Sequence, residues 1–127
     1  MENALRKEER LYSRKLIEDL FNSGQNHALS AFPVRSVYML IPQTDNAKAK
    51  ILVSVPKRRF RQAVRRNRIK RQLREAYRKN KQLLSKTTGL TGQTLLIAFI
   101  WISDQLTTTT NVEQSVRKIL QRVNEKL

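Results

Sequence analysis

At 127 residues the chain has room for one domain with a modest core, and 39% apolar residues are enough to fill it. Its 26 Lys and Arg against ten Asp and Glu give a formal net charge of +16, a field that suits a polyanionic partner and that a neutral-solute enzyme has no use for. With no cysteine and a single histidine, disulfides, a thiol nucleophile, thiolate zinc and a histidine metal cluster all drop out, so no protein-held metal is expected.

Residues 1–10 read as a flexible lead-in. The first thirty residues contain no apolar h-region and the longest apolar run, Leu95 to Ile102, has eight residues. Neither a signal peptide nor a membrane span is therefore expected, and the expected compartment is the cytoplasm. From Ser13, a fair N-cap, Leu16, Ile17, Leu20 and Phe21 recur at helical spacing, and Gly24 stands where a cap glycine belongs. Leu29 to Ile41 is rich in β-formers and has Pro33 inside it, which predicts a strand broken or started near the proline and ending at Pro42. After a turn over 43–48, Lys50 to Val55 puts Ile51, Val53 and Val55 on one side. This predicts a strand paired with the preceding one as a hairpin or meander.

Residues 62–84 carry Ile69, Leu73, Ala76, Tyr77, Asn80 and Leu84 on one helical stripe and Asn67, Arg71, Arg74 and Arg78 opposite it. Gly89 and Gly92 bound a loop. Thr94 to Ile102 is apolar on both faces, which predicts the middle of the sheet. Thr110 with Glu113 three residues on reads as a capping box, followed by Val112, Val116, Ile119, Leu120 and Val123 on one helix face. The pattern predicts an α/β (α+β) two-layer sandwich. Its mixed four-stranded sheet is packed by three helices in the order α-β-β-β-α-β-α, with a parallel crossover through the basic helix.

Charge is concentrated in one segment: between Lys57 and Lys81 stand 13 Lys or Arg and one acid, Glu75. A solvated helix face normally alternates signs, because like charges at i,i+4 repel. Here Arg61, Arg65, Arg66 and Arg68 also crowd a helix N-terminus, where the dipole disfavours cations. An arriving phosphate chain resolves both conflicts, since it takes the free N–H groups of the first turn and the guanidinium forks together. The RNA-binding residues expected are Lys57, Arg58, Arg59, Arg61, Arg65, Arg66, Asn67, Arg68, Lys70, Arg71 and Arg74. RNA is favoured over DNA because no heptad zipper follows to pair two such helices across a major groove.

Val64-Arg65-Arg66-Asn67-Arg68-Ile69-Lys70-Arg71, preceded by Lys57-Arg58-Arg59 and a strand with Val53 and Val55, resembles the RNR motif of the bacterial ribonuclease P protein component. Arg10-Leu11, Phe21 and Gly24 are similar to that family's first-helix signature. The resemblance implies a subunit that pairs, one to one, with a catalytic RNA and helps it remove the 5′ leader of precursor tRNA, with Mg2+ bound mainly by the RNA. It places Arg66, Asn67, Arg68, Lys70 and Arg71 at the catalytic RNA, and Phe21 in a cleft for the leader. Ile17 stands where the family often has an aromatic, and can pack a nucleotide without stacking on it. The family's K-K-x-G pattern appears here as Lys57-Arg58-Arg59-Phe60-Arg61, one residue longer and without the glycine.

Other readings fit less well. The acids are scattered, so a protein-only two-metal nuclease is not expected. His27 has no evident partner and reads as a surface residue. Phe99 and Trp101 share one strand face and read as core rather than as a stacking platform. A generic, ribosomal-type RNA-binding protein with no part in catalysis is the alternative that composition leaves open.

Overall fold

The computed structural model describes residues 7–127. Of the lead-in expected over 1–10, the first six residues lie outside the described ones. Lys7–Glu9 form a 3-10 turn, the Lys81 ammonium donates to Glu9 at 3.0 Å, and Leu11 N donates to Ile51 O at 2.8 Å.

Helix α1 runs Arg14–Asn22. The Ser13 hydroxyl accepts from Leu16 N at 3.3 Å, and just past the helix Gly24 adopts φ +75, a left-handed turn that suits glycine. The β-rich run that follows is two strands, β1 His27–Ala31 and β2 Val34–Pro42, folded back on each other at Phe32-Pro33. β3, Ala49–Ser54, leads to α2, Ala63–Asn80. β4, Gln93–Trp101, then leads to α3, Thr109–Lys126. The sheet order is β1-β2-β4-β3.

This order corrects one expectation. β3 does not pair with β2; it lies parallel to β4, Ile51 beside Ile97, while β4 runs antiparallel to β2 along nine residue pairs. Alternation within β3 shows which of its faces is buried but is silent about its neighbour. β4 takes the inner place because it is apolar on both sides: Leu95, Ile97, Phe99 and Trp101 face one way, Leu96, Ala98 and Ile100 the other.

α2 and α3 cover the first of those faces, where Ile69, Leu73, Tyr77, Val112, Val116, Ile119 and Leu120 close the main core. The expected stripe is buried from Ile69 to Asn80, where α2 ends, shorter than the helical pattern over 62–84 implied; Leu84 is buried beyond a 3-10 turn over 81–83. α1 lies on the second face, where Leu11, Leu20, Val37, Met39, Leu96 and Ala98 form a smaller cluster. Leu20 is its only wholly buried helical side chain, and sealing it from water contributes about 1.5–3 kcal/mol. α1 is short, so much of that sheet face is left open.

The start of α3 also differs from expectation. Its N-cap is Thr108, whose hydroxyl accepts from Asn111 N at 3.2 Å, so Thr110 lies inside the helix and the capping box does not form. A run of four threonines offers several caps; the depth to which Val112 and Val116 are buried selects the one used. Glu113 instead accepts from Asn80 Nδ2 at 3.0 Å. Asn80 Oδ1 accepts from Arg117 at 2.6 Å, so this buried amide joins the two long helices. Phe99 and Trp101 are fully buried and His27 is exposed beside Tyr38, as expected.

Candidate nucleic-acid interface

The crossover from β3 to α2 sets the cations at one end of the molecule. α2 begins at Gln62 in an extended conformation with no side-chain cap, so its first-turn N–H groups have no side-chain acceptor. Around that end Lys57, Arg58, Arg61, Arg65, Asn67, Arg68 and Arg71 are exposed, while Lys70 and Arg74 are half-buried. Among the described residues none of these side chains has a hydrogen-bond or ion-pair partner. Val64, 81% exposed, stands in their midst as the one large apolar side chain.

Two of the predicted RNA-binding arginines have structural partners. Arg66 donates through Nη1 to the carbonyls of Phe60 and Arg61, both at 2.7 Å, and so closes the loop that precedes its own helix. Arg59 pairs with Asp104 at 3.0 Å, joining that loop to the one between β4 and α3. Neither contact is visible in sequence spacing, because each depends on how the chain folds back. Replacing Arg66 with alanine should therefore loosen the loop as well as remove a cation. We expect Arg66→Ala to lower the unfolding free energy by about 1–3 kcal/mol and Arg68→Ala to leave it unchanged, both measured by denaturant titration. Equal stability for the two variants would show that the carbonyl contacts of Arg66 are incidental.

Farther along α2, Arg78 is held by Glu75 at 2.9 Å. That hydrogen bond, followed by the charge of Arg78, keeps the Glu75 carboxyl below its ordinary range and raises the guanidinium. The lone acid of the basic segment thus answers Arg78 and leaves the N-terminal cations uncompensated.

A second surface lies beside α1. Strand register lines up Ser30, Arg35, Ile100 and Ser54 across all four strands, in a row at the edge of the cluster that α1 covers, where Ile100 packs against it. Ser30 and Arg35 are exposed, Ile100 and Ser54 half-buried. Ile17 packs half-buried against the α1 cluster and Phe21, on the same helix, is 38% exposed. The row ends at Ser54, directly before the basic loop, so this largely polar row leads from the side of α1 to the cationic end. Arg35 and Ile100 were not among the residues expected there, because only the register reveals them.

The acids do not converge. Among the described residues no three of His, Asp and Glu gather into a metal site. Glu9, Asp45, Glu75, Asp104 and Glu113 are each engaged by a neighbouring cation or amide. Nor is any described helix long and apolar enough to cross a membrane.

A family profile described as Ribonuclease P matches residues 5–124, almost the whole chain and all of both surfaces. The chain belongs to the ribonuclease P protein family. It is 44% identical over 119 residues to the ribonuclease P protein component of Porphyromonas gingivalis, covering 94% of this chain and 85% of that one. A Chlorobium phaeobacteroides ribonuclease P protein component is 39% identical over 85 residues, 65% of this chain and 57% of that one. The fold matches the RNase P protein from Thermotoga maritima, with TM-score 0.68 at 19% identity, covering 90% of this chain and 96% of that one. It also matches the Staphylococcus aureus RNase P protein, with TM-score 0.62 at 18% identity over 91% and 94%. At such identities these two likenesses bear on the fold alone. They bear out the mixed four-stranded sheet with three helices and the element order read from the pattern. The ribonuclease P resemblance drawn from the RNR segment is likewise borne out.

Proposed function

We propose that this chain is the RNA-binding subunit of ribonuclease P. It binds the catalytic RNA through the cationic end of α2, assists endonucleolytic removal of the 5′ leader from precursor tRNA, and so helps form the mature 5′ end. The observation that carries this reading is the set of unpartnered cations at an uncapped helix end, reached from the sheet face that α1 covers along the row ending at Ser54. Arg61, Arg65, Asn67, Arg68 and Arg71 bind phosphate and position the catalytic RNA. Lys57, Arg58, Lys70 and Arg74 extend that contact, and Arg59 and Arg66 hold the loop in shape. The leader crosses the sheet face between α1 and the row of Arg35 and Ile100.

Hydrolysis belongs to the RNA in this reading. Among the described residues the donor set does not fit a Mg2+ centre, because the acids do not gather into a cluster; the metal is held mainly by phosphate oxygens. The assembly is one protein per RNA, in the cytoplasm.

The test is reconstitution with a ribonuclease P RNA transcript and cleavage of precursor tRNA. Added protein should lower the magnesium concentration that the RNA requires. RNA binding without that effect would favour the generic RNA-binding alternative. Within the assembled holoenzyme, Phe21→Ala should weaken precursor binding by about 1–3 kcal/mol, the range for a stacked base, and leave mature tRNA unaffected. Equal losses for both substrates would make Phe21 a core residue and remove the leader path.

A further inference from the structure

Where β2 begins, β4 ends and α3 starts, the chain encloses a cavity of about 330 Å³, within the size range of small-ligand sites. Its lining combines two aromatics, Phe32 and Trp101, three carboxamides, Gln105, Asn111 and Gln114, and the Lys118 ammonium, with no carboxylate. Phe32 is 72% exposed, yet its backbone is fixed, since its carbonyl accepts from Ser115 Oγ on α3 at 3.1 Å. An aromatic ring held in water by an anchored backbone is a preformed stacking surface. Trp101 is wholly buried, and its indole N–H has no hydrogen-bond partner. Buried polar groups are ordinarily paired, so this is an orphan donor on a residue that lines the cavity. Among the described residues the carboxamides of Gln105 and Gln114 and the Lys118 ammonium have no partner either.

This chemistry matches one kind of occupant. Carboxamides present donor and acceptor together, as the edges of a nucleobase do. An exposed ring offers a stacking partner, and a lysine answers a phosphate. A loop also connects the cavity to the cationic end of the molecule. The 102–108 loop that forms its wall is tied to the basic loop through Arg59–Asp104 and to α2 through Gln72, whose amide donates to Thr107 O at 3.5 Å and to Thr109 Oγ1, at the start of α3, at 3.2 Å.

We infer that this cavity holds one unpaired nucleotide of a bound RNA, its base against Phe32 and within reach of Gln114, its phosphate near Lys118. The inference rests on the RNA-binding reading above and adds to it a site that neither the basic helix nor the α1 strip contains.

Two equilibria test it, over a salt series: binding of the full chain to a ribonuclease P RNA transcript, and binding of precursor tRNA to the assembled holoenzyme. Phe32→Ala and Gln114→Ala should each weaken one of them about five- to fiftyfold. The salt slope should stay the same, because neither residue is a cation. Loss in the first equilibrium assigns the nucleotide to the catalytic RNA; loss in the second assigns it to the precursor. Arg68→Ala serves as the reference and should weaken binding and lower the slope. If Phe32→Ala lowers the melting temperature, the exposed Gln114 on α3 decides the question. Unchanged affinities for both cavity variants, with Arg68→Ala still defective, overturn the nucleotide site and leave the basic face standing. Unchanged affinities for all three overturn the basic face as well.

Discussion

Leu73→Ala is expected to lower the free energy of unfolding by about 2–5 kcal/mol, as measured by denaturant titration, while RNA affinity per folded molecule stays as it was. Leu73 is fully buried in the cluster that joins α2 to the sheet and to α3. Truncation there removes methyl groups from a packed interior and leaves a cavity that Ile69, Tyr77 and Phe99 cannot collapse without moving two helices. Arg68, a little over a turn earlier on the same helix, is exposed and unpartnered, so Arg68→Ala should do the reverse. If Arg68→Ala unfolds the chain and Leu73→Ala leaves it stable, the two faces of α2 have been exchanged.

The second large effect is on salt. Six cations, Lys57, Arg58, Arg61, Arg65, Arg68 and Arg71, are exposed and without partners around the start of α2. Each phosphate neutralised contributes roughly 0.9 to the slope of log K against log salt on duplex and about 0.7 on single strands, so six contacts give a slope of about 4 to 5.5. Affinity for the RNA should then fall about 300- to 2,000-fold between 50 and 200 mM salt. A slope shallower than about two would mean that the helix is not the main RNA surface. Arg59 and Arg66 are left out of this sum because each already has an acceptor within the protein.

How far the molecule could be read in advance depends on the range of the interactions that fix each feature. The stripe from Ile69 to Asn80 was legible because a helix writes its burial into consecutive residues with a period of 3.6. The inner position of β4 was legible because both its faces are apolar. The neighbour of β3 was not, since a strand's alternation carries nothing about which edge another strand will join. The same distinction runs through the site. The cationic end of α2 is a local property, and the spacing of its arginines was enough to find it. That Arg66 reaches back to two carbonyls and Arg59 forward to Asp104 emerges only once the loops meet. Arg35 and Ile100 come together on the face that α1 covers through register alone.

The placement of β4 between β2 and β3 has a consequence for synthesis on the ribosome. β3 has no strand to join until residues 93–101 have emerged, and the whole polycationic segment is made in the interval. At roughly 5–20 residues per second, that leaves Ile51 and Val53 without their sheet for a few seconds. The nascent chain therefore displays its cluster of exposed arginines before the scaffold that orients them exists, within reach of every RNA around the translating ribosome. On the function proposed above, selectivity for one RNA begins only when β4 closes the sheet.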